Sequence, residues 1–511
     1  MATLAEKDTT GTLQAGEGEM ELVDRRTRRA KVFHRVGTRQ YRIGASLGPV
    51  HYRRDPFDER EDLKEIDLRL DSTPGEEWDF ACETNGYQVR VWQSRGNSES
   101  ETLSYVARFT RAGNWFEMAP IALYWDNDRG QRQTVGALQA GLTPVIDNEA
   151  NTITWQDAFG PGLHFRYNLR PDQFSKALVV DSLAALPPPT GQTASRNPRL
   201  VLLMSLTWDP TVLPDEAKIP AGFLPGELTS DASKFYVFTA KVENPTEFSF
   251  KRVDLRDSFW WQVPRAWDSS DEGPDLLGFF WQVGISNTAQ YGAKFCVPWP
   301  TLQAATYPVF LDVDIAEEGI STNSDDGRTQ GAVHPGSTGL FLCSGTDFVG
   351  AATDEFYCVG MRFQTIPIPQ GATIDSASVA IQTDRDSLYA IDLYIHAEDV
   401  DSGATWAAAH TPADGYGNRT TAKTRWTTAA AWTLGSWYQS PDIGAVVEEV
   451  VGRPGWALNA DLNLLITNVA VTLPGTNMWR RFDTYEGGAG GKFNCSYTEA
   501  AAGGNWLFAS D

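Results

Sequence analysis

The stretch PIPQGATIDSASVAIQ, Pro367 to Gln382, decides the reading of this chain. Ala377, Val379 and Ile381 alternate with Ser376, Ser378 and Gln382, and a period of two marks a half-buried strand. The segments around it repeat the pattern. In DLYIHAED, Leu393, Ile395 and Ala397 share one face and Tyr394, His396 and Glu398 the other; in DLNLLITN, Leu462, Leu464 and Ile466 face together. Between them, SPDIGAVVEEVV reads as a helix. Ser440 is placed to cap it, Pro441 suits its first position, and Ile443, Val446, Val447, Val450 and Val451 recur at helical spacing until Arg453–Gly455 stop it. A sandwich of short strands with one short helix is expected.

The composition agrees. The chain has 511 residues, 41% hydrophobic with 18 Trp, which suits a folded protein of about three domains at ~100–200 residues each. Gly 45 and Pro 28 favour a turn-rich, mainly β class of successive β-sandwich, jelly-roll-like domains. The boundaries expected are a flexible N-terminal arm at 1–20, an N-terminal β domain at 21–186, a Pro-rich linker at 187–198 (PPPTGQTASRNP within it), a middle β-sandwich at 199–315 and a C-terminal β-sandwich at 316–511.

Forty-three basic residues against 66 acidic give a formal charge of −23, which repels phosphate backbones and argues against nucleic acid as a partner. No run of about 18 apolar residues exists, so no membrane insertion by a helix is expected. The N-terminal stretch lacks the charged start and apolar core of an export signal. Five Cys form no CxxC pair, which suits buried reduced thiols, with a Cys343–Cys358 bridge as the alternative.

Several motifs fail on context. GASLG, Gly44–Gly48, has the spacing of a nucleophile elbow, but Pro49 and a strand-like run follow Ser46 where a helix is required. GGAGGKF places Phe493 where a phosphate loop needs Ser or Thr. His396 and Glu398 form H-x-E without the cysteine pair of a zinc deaminase, and His396 reads as an exposed strand residue. No catalytic residue is assigned.

Three binding sets stand out. Arg25, Arg26, Arg28, Arg29 and Lys31 form a basic patch that either docks on an acidic neighbour or is a solvated face. Asp325 and Asp326 in NSDDG, and Asp399 and Asp401 in EDVDSG, set oxygen ligands beside a turn glycine, as calcium prefers; Asx turns are the other reading. No other cofactor is expected. Trp432, Trp437, Tyr438, Trp479 and Arg480 gather aromatic faces and a guanidinium as a sugar platform does, or as a core does.

The order GATIDSASVAI, Trp406 and Trp426, WTLGSWYQSPDIGAVVEEVVGRPGW and RRFDTYEGG resembles the DNRLRE-type domain, a carbohydrate-binding-module-like β-sandwich of bacterial surface and RHS-type proteins and of some phage particles. Upstream, ELVDRRTRRAKVFHRVGTRQYRIGASLGPVHYRRD and ITWQDAFGPGLHFRYNLRPDQFSKALVV are similar to the β domain that precedes it in those proteins. YGAKFCVPWPTLQAATYPVFLDVDI resembles the segment that leads into it. Combined with the missing export signal, the acidic surface and the lack of an assembled catalytic motif, the resemblance implies a non-enzymatic virion structural protein, displayed on a phage particle as head decoration or tail component and made in the host cytoplasm. Other virion proteins and copies of itself are the partners implied, with a host-surface glycan as ligand of the C-terminal domain. A cell-surface carbohydrate-binding adhesin and a polysaccharide depolymerase are the other readings.

Overall fold

The alternation read from the sequence becomes antiparallel sheet throughout. A computed structural model describes residues 12–58, 60–96, 102–127, 129–209, 211, 213–214, 235–239, 248–251, 257–261, 265–269, 280–285, 290–316, 326–331, 339–342, 346–351, 356–383, 390–407, 409–468, 478–483 and 490–499. These residues are mainly β, in several separate sheets, with three short α-helices among them. They form two units: one of Tyr52–Ile320, the other of Ala5–His51 together with Ser321–Asp511.

In the Tyr52–Ile320 unit, two sheets enclose one core. One sheet runs through Gln88–Gly96, Thr102–Arg111, Asn114–Asp126, Arg199–Trp208 and Gln290–Pro298; the other through Thr152–Trp155, Leu163–Leu169, Gln173–Val180 and Val309–Ala316. Side chains tie the sheets together. Trp155 stacks on Tyr105 with ring centres 4.5 Å apart, and the Tyr167 hydroxyl donates to the Tyr105 carbonyl at 2.7 Å, so a phenol buried between sheets keeps a partner.

Here the expected boundaries change. Arg199–Trp208, expected to open a separate middle sandwich at 199–315, lies between Asn114–Asp126 and Gln290–Pro298 in the same sheet as the preceding region. The supposed linker 187–198 is held in place. The Trp125 indole donates to the Pro187 carbonyl at 2.7 Å, and Asn127 Nδ2 donates to the carbonyls of Gln192 at 2.9 Å and Ser195 at 3.1 Å. Prolines remove backbone donors, and side chains of the sheet supply the bonds that a loop needs.

The second unit is also a sandwich. Its first sheet is ordered Glu19–Glu21, Ala30–Arg35, Gln40–Ser46, Lys492–Thr498, Thr373–Gln382, Trp437–Gln439. The facing sheet contains Asp326–Gly331, Gly339–Leu342, Phe356–Ile366, Ala460–Asn468, Ile391–Ala397 and Thr424–Thr428. The core between them takes Val32, Ile43 and Ala45 from the N-terminal strands, Val379 and Ile381 from the opening stretch, and Leu393, Ile395, Leu462, Leu464 and Ile466 from the other sheet. Residues up to His51 thus belong with the C-terminal unit, not with a 21–186 domain. The arm expected at 1–20 is docked from Thr12 onward: Thr12 and Leu13 are buried, and Arg42 Nη1 donates to the Thr12 carbonyl at 2.9 Å. Gly44 permits this approach, since a Cβ there would sit 1.8 Å from the Thr12 oxygen.

Among the described residues, two α-helices rather than one decorate this unit. Gly444–Val451 buries Val446, Val447, Val450 and Val451 as their spacing requires, but it starts later than Ser440 suggests. Asp442 Oδ1 accepts from the backbone of Gly444 at 2.9 Å and of Ala377 at 2.8 Å, fixing the turn that opens the helix. Ser440 instead bonds the strand, accepting from Val379 N at 3.1 Å. The second helix, Pro412–Gly417, carries a capping box between Thr411 and Asp414. No helix of the described residues is long and apolar enough to cross a membrane.

Candidate functional site

The five aromatic-site residues are partly brought together. Trp432 is buried between Tyr438, stacked at 4.3 Å and 9°, and Arg480, whose guanidinium lies 4.6 Å over the ring. Arg480 is itself buried and donates to the Ala430 carbonyl at 2.7 Å. With both ring faces covered, Trp432 is a core residue and offers no stacking surface. Trp437 remains half-buried, with Lys492 Nζ 4.2 Å over its ring. The side chain of Trp479 lies outside the described residues.

The basic patch is turned onto its own chain. Arg25 pairs with Glu499 at 2.8 Å and Arg26 with Glu21 at 2.6 Å. Arg29 and Lys31 are buried, Arg29 donating to the Leu47 carbonyl. These contacts within the chain mean that a run of charges in sequence does not make an open surface.

The acidic cluster at Asp399 and Asp401 already has its cation. Arg453 reaches Asp399 at 2.6 Å and Asp401 at 2.7 Å. This guanidinium accounts for the pair. Asp325 lies outside the described residues, as does the side chain of Asp326. No group of three His, Cys, Asp or Glu among the described residues is set to hold a metal ion. Cys358 is a free thiol whose S–H donates to the Pro412 carbonyl at 3.2 Å, so it forms no bridge; Cys343 lies outside the described residues. Ser46 ends a strand and is followed by Leu47, bonded to the Gly491 carbonyl, with no helix behind it.

A polar cluster that the sequence reading passed over lies on the outer face of the Phe356–Ile366, Ala460–Asn468 and Ile391–Ala397 strands. Pairing across the strands aligns Gly360, Leu465 and His396 in one row, and Arg362 with Asn463 in the next. The Asp399–Thr420 loop folds over this face and inserts Trp406, fully buried, against Gly360. Glu398 is 4% exposed; its carboxylate accepts from Asn463 Nδ2 at 2.8 Å and faces His410 Nε2 at 3.3 Å. His410 stacks on Trp406 at 5.2 Å and 12°. His396, expected to be exposed, is buried under this cover, and burial pushes its imidazole down to about 4. Its face was read correctly from DLYIHAED; only the lid was invisible. The arrangement hydrogen-bonds one buried carboxylate to an amide and sets an imidazole beside it, which anchors the loop to the sheet.

No family model and no curated protein matches the chain. Among solved structures it is similar to exo-beta-1,3-galactanase from Phanerochaete chrysosporium: a variant with beta-1,3-galactotriose at 8% identity, covering 89% of this chain and 100% of that one, TM-score 0.13. The same enzyme with galactose matches at 7% identity, covering 88% of this chain and 100% of that one, TM-score 0.11. Scores this low carry no argument about function.

Proposed function

We propose that the chain is a non-enzymatic structural protein displayed on the surface of a virion, as head decoration or tail component. The observation that supports this reading best is the closure of the second unit. Gln40–Ser46 pairs along its whole length with Lys492–Thr498, from Gln40 opposite Thr498 to Ser46 opposite Lys492. The N-terminal strand is thereby clamped into the second unit's sheet by backbone hydrogen bonds, a build suited to a part that resists local unfolding and proteolysis. Among the described residues, several polar clusters are joined to partners of their own: Arg453 to Asp399 and Asp401, Glu398 to Asn463, Arg25 to Glu499.

Sedimentation of the native protein from its source tests this. Co-migration with large particles, with antibody labelling on their surface, is the expected result. A free monomer or small oligomer in all fractions overturns it. Glycan binding by the C-terminal unit is the finer reading, and it rests on Trp437 and Tyr438 together with Trp479, whose side chain lies outside the described residues, since Trp432 and Arg480 are enclosed.

A further inference from the structure

The outer face of the larger sheet in the Tyr52–Ile320 unit carries an arginine–tryptophan array. Val89, Val91, Ala107, Phe109, Phe116 and Met118 face the core, so the residues that alternate with them point the other way. Arg90 lies opposite Arg108, and Arg108 opposite Glu117, in one row across three strands. The Arg90 guanidinium sits 3.9 Å over the Trp78 ring, Arg95 sits 4.3 Å over Trp92, and Arg108 sits 4.5 Å over Trp115. Trp78 and Trp92 meet edge to face at 6.4 Å.

Two properties of this array point to a ligand class. The indole N–H groups of Trp92, 3% exposed, and of Trp78 meet no hydrogen-bond partner among the described residues, and a buried donor left unmatched is a standing cost. The charges cancel: Arg108 and Arg95 share Glu117, Arg95 also approaches Glu77 at 3.6 Å, and Arg90 holds Glu83 at 3.0 Å. Each of the three arginine side chains keeps 22–29% of its surface in solvent. A balanced array on a chain of net charge −23 gives an anionic polymer no attraction. Half-buried indole faces, guanidinium forks and carboxylate acceptors suit the C–H faces and paired hydroxyls of an uncharged sugar.

We infer that this face binds a neutral saccharide, with Trp78 and Trp115 as stacking surfaces and Arg90, Arg95 and Arg108 as donors. The inference extends the glycan-binding part of the proposed function to the other unit and is independent of where the protein resides. The test is affinity electrophoresis of the full chain through gels cast with galactan, glucan or mannan, and with alginate as the anionic control. Retardation by at least one neutral polymer is expected, and Trp115→Ala weakens it about tenfold, the effect of losing one stacked ring. Trp115→Phe, which keeps a ring and guards against misfolding, retains most of the binding. No retardation by any neutral polymer overturns the inference, as does retardation by alginate alone. Loss of binding with Trp437→Ala but not Trp115→Ala overturns it too, and leaves the glycan reading of the C-terminal unit standing.

Discussion

Ile43 and Cys495 lie directly opposite each other on adjacent antiparallel strands, both fully buried in the core of the second unit. The contact joins the first strands of the chain to the last one described, and it makes the N-terminal segment part of the C-terminal fold. Ile43→Ala removes buried carbons from one side of this seam and leaves Cys495 facing a cavity. A loss of about 2–5 kcal/mol is expected, read by denaturant unfolding of the full chain. Deleting residues 12–47 should expose the Lys492–Thr498 edge and make the second unit protease-sensitive.

Acid weakens this unit by a mechanism that can be assigned. Burial pushes His51 and His396 each down to about 4, from an ordinary value near 6.5. Between those two values the unfolded chain takes up protons that the folded chain refuses, so stability falls as pH drops from about 6.5 to about 4 and is level above that range. Each group contributes at most roughly 3 kcal/mol. His396→Gln should flatten its share of the slope, measured by thermal melts across that pH window.

Trp432 and Trp437 separate a core role from a surface one. Trp432→Ala opens a cavity between Tyr438 and Arg480 and should cost about 3–5 kcal/mol. Trp437→Ala, at a half-buried edge position, should cost under ~1 kcal/mol. Equal losses in chemical denaturation would refute the distinction.

Arg453 should make calcium unnecessary to the loop it closes. Adding calcium or a chelator is expected to leave the melting temperature of the wild-type chain unchanged. Arg453→Ala breaks two partly exposed ion pairs and should cost about 1 kcal/mol. A calcium-dependent rise in the wild-type melting temperature would restore the metal reading of Asp399 and Asp401.

Gly360 tests the lid. A Cβ there would lie 2.5 Å from the Trp406 ring, so Gly360→Ala must lift the indole and the loop carrying it. Increased hydrogen exchange over residues 399–420, with the sandwich core still protected, is the expected result.

Much of the fold was legible because alternation is a local property. Ala377, Val379 and Ile381, and Leu462, Leu464 and Ile466, do share core faces. Pairing partners were not legible. Nothing in RQYRIGAS states that it will lie beside KFNCSYT rather than beside a strand from its own neighbourhood, since sheet hydrogen bonds read no side chains. The same limit misplaced Arg199–Trp208, whose neighbours come from both sides in sequence. The candidate site failed differently. An aromatic such as Trp432 or a charge such as Lys31 looks identical in sequence whether a loop covers it or not. His396 was assigned to the right face and the wrong environment for that reason. The Trp78, Trp92 and Trp115 array gave one signal that was passed over: charged and aromatic residues alternate with core positions on consecutive strands.

The closure of the second unit sets an order on synthesis. Gln40–Ser46 leaves the ribosome roughly 450 residues before its partner Lys492–Thr498, a separation fixed by the pairing itself. At about 5–20 residues per second the early strands wait on the order of tens of seconds with one edge open, while the intervening sandwich has time to form. A nascent chain broken off at any point in between keeps that edge unpaired and remains open to degradation. The sheet therefore works as a checkpoint on synthesis, in which only a polypeptide translated through Lys492–Thr498 can close this edge.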